Sequence, residues 1–247
     1  MATELVKTYV RGLDEHTLNG GIPSGHIVLI QGASGTMKSS LVYYILHQNA
    51  LQGTVGLYVT LEQTAAGMLE QAEHLGLNTR AVSDFLPIMD LGASRDRLTE
   101  TTRSMADSSG GKADPEDLVL SVLRGKMQDL RRRTNFSLLA IDSWAAVEAL
   151  VERDNRRQLI FAFFEWLRAL QTTTFIVGEE PADDHGRERV DEEVLVDGIL
   201  QLVMEPITDT TFQRRIRCVK MRRVNHDHDF RTLHFAEGRF EVARAIG

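Results

Sequence analysis

Between Gly32 and Ser39 the chain reads Gly-Ala-Ser-Gly-Thr-Met-Lys-Ser, directly after the apolar run His26–Gln31 and at the start of a helical pattern from Lys38 to Leu51. No other feature constrains the fold as much. In that setting, the pattern G-x-x-x-x-G-K-[S/T] cradles a phosphate chain. Backbone N–H groups and the helix N-terminus surround the oxygens, the lysine neutralises charge, and the serine hydroxyl faces a divalent cation. The expected cradle comprises Gly32, Ala33, Ser34, Gly35, Thr36, Met37, Lys38, Ser39 and Ser40. The expected ligands are ATP and Mg²⁺. Met37 stands where the pattern has glycine, and a side chain there restricts the backbone and crowds the loop.

The rest of the chain alternates strand-length apolar segments with helical patterns, the signature of a mostly parallel α/β sheet covered by helices. Strands are expected at Val55–Leu61, Phe85–Met89, Ser137–Ile141 and Thr173–Val177. Extra C-terminal strands follow at Gly198–Met204, Arg214–Met221, Arg231–Phe235 and Phe240–Val242. Helices are expected through Met68 and Leu75, from Asp114 as N-cap to Arg133, and over Arg156–Gln171. Residues 92–117 are polar and small and read as a flexible insertion or loop. No internal repeat is visible, so residues 1–247 read as one nucleotide-binding α/β domain.

Composition removes several function classes. The single cysteine, Cys218, excludes an internal disulfide and a cysteine-built zinc site. No apolar run approaches the roughly 20 residues that cross a bilayer, and Met1-Ala2-Thr3-Glu4 opens without a signal-peptide core. A cytoplasmic protein is the expectation. The net charge of −7 takes away the simplest case for nucleic acid, a strongly basic surface.

Two carboxylates complete the expected site. Ser137-Leu138-Leu139-Ala140-Ile141-Asp142 is an apolar strand closing on Asp142, about 100 residues after the cradle. Such an aspartate sits beside the phosphate loop and holds Mg²⁺ with Ser39. Tyr58-Val59-Thr60-Leu61-Glu62-Gln63 is a strand, expected next to that of the cradle, whose tip Glu62 orients or deprotonates an attacking water. Glu179-Glu180 ends a further strand on the same side. Trp144 reads as packing, Arg131-Arg132-Arg133 as a charged helix end, and Arg214-Arg215 as solvated residues of a strand edge.

These residues carry a family resemblance. Arg11-Gly12-Leu13-Asp14-Glu15 with Gly20-Gly21-Ile22-Pro23-Ser24-Gly25 resembles the entry segment of the KaiC, RadA and RecA superfamily, and Val59-Thr60-Leu61-Glu62 is similar to its glutamate-bearing strand. Val219-Lys220-Met221-Arg222-Arg223-Val224-Asn225-His226-Asp227 resembles the segment that, in KaiC domains, reaches across a subunit boundary. The resemblance implies that Lys220 and Arg222 serve the neighbour's γ-phosphate, with His226 at the same interface. It further implies a homo-oligomeric ring, hexameric in most such proteins. Gln63 replaces the family's second glutamate, and Arg223 replaces its glycine.

Three functions fit this resemblance: a slow ring ATPase that switches conformation or partners, a KaiC-type serine/threonine autokinase, and a RadA/RecA-like recombinase. Glu193-Val194 occupies the autokinase's Ser-Thr acceptor position, which removes both hydroxyls. Thr208, Thr210 and Thr211 read as a turn between strands. The loop 181–193, which in a recombinase would grip DNA, is dominated by carboxylates that repel phosphate. The ring ATPase is the reading these residues favour. His226-Asp227-His228-Asp229 alone is a weak metal motif.

Overall fold

The computed structural model describes residues 4–91, 115–149, 156–179 and 192–244, with side chains for all but 115–119 and 192. The insertion expected from residue 92 and the N-cap expected at Asp114 lie outside the described residues, as does Glu180.

Apolar runs without alternation make strands covered on both faces. Three such runs, β3 (Ile27–Gly32), β4 (Gly56–Thr60) and β6 (Leu138–Asp142), are buried along their whole length. They lie in one sheet with β5 (Ile88–Asp90), β7 (Thr173–Glu179), β8 (Gly198–Pro206), β9 (Phe212–Met221), β10 (Arg231–Ala236) and β11 (Arg239–Arg244). The order is β11-β10-β9-β8-β3-β7-β6-β4-β5. From β8 to β5 every pairing is parallel, and from β8 to β11 every pairing is antiparallel. A small ladder of β1 (Leu5–Val6) and β2 (Ile22–Pro23) stands apart.

One expectation about this sheet fails. β4 is not the neighbour of β3, because β7 and β6 stand between them. The neighbours of β3 are β7 and β8, both far along the chain.

The helix after the cradle, α2 (Lys38–Leu51), is apolar all round and buried at Leu41, Val42, Tyr43, Tyr44, Ile45, Leu46 and Ala50. A helix with that pattern belongs inside a core. It follows a short α1 (Leu13–His16) and packs on one face of the sheet with α3 (Ala65–His74), whose N-cap Thr64 accepts from the Gly67 amide at 3.1 Å. The other face carries α4 (Pro115–Thr134), α5 (Trp144–Glu148) and α6 (Arg156–Ala169). In α6, Ile160, Phe163, Phe164 and Leu167 recur at helical spacing and are all buried. A last short helix, α7 (Glu192–Leu195), leads into β8.

The β8–β9 ladder carries a bulge. Leu200 faces Cys218, yet Ile199 faces Lys220, which leaves Val219 without a partner. Cys218 and Met221 therefore enter the same core layer, on the α2 side, while Lys220 shares the opposite face with Ile199. Nor is β9 an edge strand, since β8 and β10 flank it. The expected edge role of Arg214-Arg215 is corrected accordingly. Arg215 pairs with Glu205 at 2.8 Å, and burial lowers the pKa of Arg214.

Candidate functional site

The parallel strands end together, and their C-terminal ends carry the expected residues. Gly32 closes β3 level with Glu179 of β7. Asp142 closes β6 level with Thr60 of β4, two residues before Glu62. Gly32 admits no side chain, because a Cβ there would lie 2.2 Å from the Leu202 carbonyl oxygen of β8.

The loop then curls over the start of α2. Gly35 and Met37 both have left-handed backbones, φ 84° and 69°, and a Cβ on Gly35 would meet nothing within 4 Å. Met37 is the N-cap of α2 and makes no side-chain cap, so it supplies no side-chain acceptor to the first amides of the helix. For methionine the left-handed conformation costs roughly 1–2 kcal/mol, offset in part by packing of its half-buried side chain on the α2-side core. Thr36 Oγ1 donates to the Ala33 carbonyl at 2.8 Å and fixes the turn. Ala33 and Ser34 are exposed.

Lys38 folds back into the loop, where its ammonium donates to the carbonyls of Gly32 at 2.7 Å and Ala33 at 2.9 Å. Ser39 hydrogen-bonds with the Asp142 carboxylate. Ser40 turns away from the loop and accepts from Gln71 Nε2 of α3 at 3.1 Å, so its backbone amide alone remains at the helix start.

Asp142 is buried, and burial raises its pKa; the neighbouring Glu62 adds to the rise. Tyr58, Ser39 and Lys38 oppose it. The strongest of these is Tyr58, whose hydroxyl donates to Asp142 Oδ2 at 2.6 Å from a wholly buried ring. Glu62 is exposed and accepts from the Ser143 hydroxyl, across the cis Asp142–Ser143 peptide. Lys38, Ser39, Glu62 and Asp142 thus converge in one place. Sequence reasoning gave no role to Tyr58 and Ser143, although Tyr58 opens one of the segments it had singled out and Ser143 follows another. A tyrosine inside an apolar strand needs a partner for its hydroxyl, and that was the available signal.

The donors suit a hard cation, with a hydroxyl and a carboxylate oxygen side by side. Among the described residues no group of three or more His, Cys, Asp or Glu side chains forms a metal cluster. An ion here would take its remaining ligands from phosphate and water, as Mg²⁺ does with nucleotides.

Lys220, Arg222 and His226 lie elsewhere. Ile199 faces both Leu29 and Lys220, so Lys220 is level with the early part of β3, about 10 Å short of Gly32 along the strands. Its ammonium points to α7, donating to the carbonyls of Glu193 at 2.8 Å and Val196 at 2.7 Å. Burial lowers its pKa, with Arg222 adding to the effect. Arg222, beyond the strand end, bonds the Asp197 carboxylate at 3.1 Å. His226 is half-buried against His228, with ring centroids 4.4 Å apart, and its Nδ1 lies 3.2 Å from the Val224 carbonyl. None of the three faces the phosphate loop of its own chain.

Trp144 is buried among Phe163 and Phe164, which makes it a packing residue. Thr208 and Thr211 close the β8–β9 turn on each other. Arg131–Arg133 end α4, with the Arg131 guanidinium 5.7 Å from the centre of the Phe136 ring.

Comparison with known proteins agrees with this fold. The chain is 27% identical over 232 residues to a UPF0273 protein of Methanopyrus kandleri, covering 92% of this chain and 86% of that one. It is also 27% identical to the circadian clock oscillator protein KaiC of a Picosynechococcus species, over 90% of this chain but 41% of the longer clock protein. In fold it is similar to the KaiC-like protein PH0186 of Pyrococcus horikoshii, with a TM-score of 0.76 at 20% identity over 98% of this chain and 100% of that one. The family model described as "ATPase: KaiC" matches residues 6–244, and the chain belongs to that family of P-loop ATPases.

Proposed function

We propose that the chain is an ATP-binding, slowly ATP-hydrolysing ring protein, with nucleotide held between subunits and its state driving conformation or partner choice. One observation carries this reading: the phosphate cradle and the cations Lys220 and Arg222 lie toward opposite ends of one sheet. Neither end is a complete site, and a head-to-tail neighbour supplies to each what it lacks. A heterologous contact of that kind makes a ring when its rotation closes. Hexamers are the expected size.

In such a site the loop amides and Lys38 hold the β- and γ-phosphates, and Ser39 and Asp142 hold Mg²⁺. The ion, when bound, neutralises charge on the phosphate oxygens. Glu62, steadied by Ser143, takes a proton from the attacking water. Lys220 and Arg222 of the neighbouring copy stabilise the charge that develops on the transferring phosphoryl group. His226 stands at the same boundary. The strained Met37 and the uncharged Gln63 favour slow turnover, so a rate of tens per second would contradict this part of the reading.

A KaiC-type autokinase is the weaker alternative. The position that would carry the acceptor lies beside Lys220, whose ammonium bonds the Glu193 carbonyl, but Glu193 and Val194 carry no hydroxyl. A circadian role does not follow from the family, since one fold serves many functions.

The test is molar mass by light scattering, with and without MgATP, for the wild type and Lys38→Ala. A nucleotide-dependent ring that Lys38→Ala fails to form is the expected result. A wild-type monomer under all conditions would overturn the reading.

A further inference from the structure

An open cleft lies at the end of the sheet away from the phosphate loop, bordered by His26, Arg168, Asp197 and Arg223. Arg168 and Arg223 border it, Lys220 and Arg222 lie next to its Asp197, and three of these four cations are already committed within the chain. Arg168 pairs with Glu165 at 2.5 Å and donates to the Leu195 carbonyl. Lys220 holds the carbonyls of Glu193 and Val196, and Arg222 holds Asp197. Arg223 is exposed, and no hydrogen bond or ion pair engages its guanidinium among the described residues.

Its backbone makes this more telling. Arg223 has φ 65°, in the left-handed region that favours glycine. The turn after β9 would therefore form more easily with glycine, and arginine there opposes folding. Strain of this kind clusters at functional sites, and Gln171, with φ 54°, shares it on the same cleft. The cleft that Arg223 borders holds no other uncommitted arginine or lysine among the described residues.

We propose that Arg223 is a further phosphate-binding cation of the intersubunit site, reaching the triphosphate held in the neighbouring copy's cradle. This rests on the ring reading above. Arg222 arrives partly neutralised by Asp197, and Lys220 partly anchored by two carbonyls. Arg223 adds a full, mobile charge beside them, on a planar donor fork that matches phosphate oxygens. Its contribution belongs to the γ-phosphate end of the nucleotide, so it distinguishes ATP from ADP.

The informative variant is Arg223→Gly, because glycine relaxes the turn. Its thermal midpoint should rise by roughly 2–4 °C. Turnover should nevertheless fall by about tenfold or more, as the loss of a cation from a phosphoryl-transfer site implies. Binding of a non-hydrolysable ATP analogue should weaken relative to ADP, and Arg223→Lys should recover part of both losses. Wild-type turnover together with an unchanged analogue-to-ADP affinity ratio in Arg223→Gly would overturn the proposal. Arg222→Ala, measured alongside, separates the two readings. If it is inactive while Arg223→Gly is normal, this inference alone fails. If Arg222→Ala hydrolyses ATP at the wild-type rate, the intersubunit site fails and takes this inference with it.

Discussion

The residue that most repays attention beyond the expected set is Tyr58. A buried carboxylate next to another carboxylate ionises reluctantly, and Asp142 is in that position beside Glu62. The Tyr58 hydroxyl at 2.6 Å supports the charged form and fixes which oxygen remains for a cation. Tyr58→Phe keeps the ring and removes the donor. It should lose about 1.5–3 kcal/mol of stability, the usual worth of a hydrogen bond to a charged group. It should also raise the Mg²⁺ concentration needed for half-maximal nucleotide binding. Urea unfolding and a Mg²⁺ titration with a fluorescent nucleotide check the two effects. Unchanged values in both would show that Asp142 does not depend on this contact.

At the scale of elements, α2 shows how fully some parts were legible. Its bounds, Lys38 and Leu51, coincide with the sequence expectation, because the loop fixes its start and Gly53, at φ 83°, follows its end. That Lys38, Ser39, Glu62 and Asp142 would lie close together was legible too, since each closes a strand, follows a strand's end by two residues, or opens a helix. Strand order was not. An apolar run such as Thr173–Glu179 says that it is buried, but nothing in it says that it inserts between β3 and β6. The partners of Lys220 were equally hidden, because two of them are backbone carbonyls that no side-chain pattern encodes.

The same helix supplies a pH prediction. His47 is buried in α2 with Nε2 3.1 Å from the Asn78 carbonyl, and burial lowers its pKa from 6.5. The unfolded chain then binds a proton that the folded chain resists. Stability is therefore full above the unfolded value and declines as pH falls through the folded one. Unfolding midpoints in urea at roughly pH 7.5 and 5.5 should drop further for wild type than for His47→Gln. Equal drops would assign the acid sensitivity to other groups.

At the scale of the whole molecule, a site split between copies makes a demand that no single chain can meet. Glu62→Gln lacks the base but keeps the cradle and Arg222, while Arg222→Ala keeps the base and lacks the arginine. Each should be inactive alone. Co-assembled at equal amounts, they should regain activity at about a quarter of the interfaces, where an intact base meets an intact arginine. Steady-state hydrolysis of the mixture measures this directly, and an inactive mixed ring would place both halves of the site in one subunit.

The unpaired Val219 has a consequence for how such an assembly can change over time. β9 runs from an exposed hairpin tip, where Phe212 faces solvent, down to Lys220 and, just past its end, Arg222. A residue gained or lost near the tip would ordinarily pass down the strand and turn every later side chain to the wrong side. Val219 acts as an expansion joint. It can be taken up or left out while the pairs below it, Lys220 with Ile199 and Met221 with Gly198, stay in step. The hairpin is thereby free to drift in length and sequence, while the end of the strand that carries Lys220 keeps its aim.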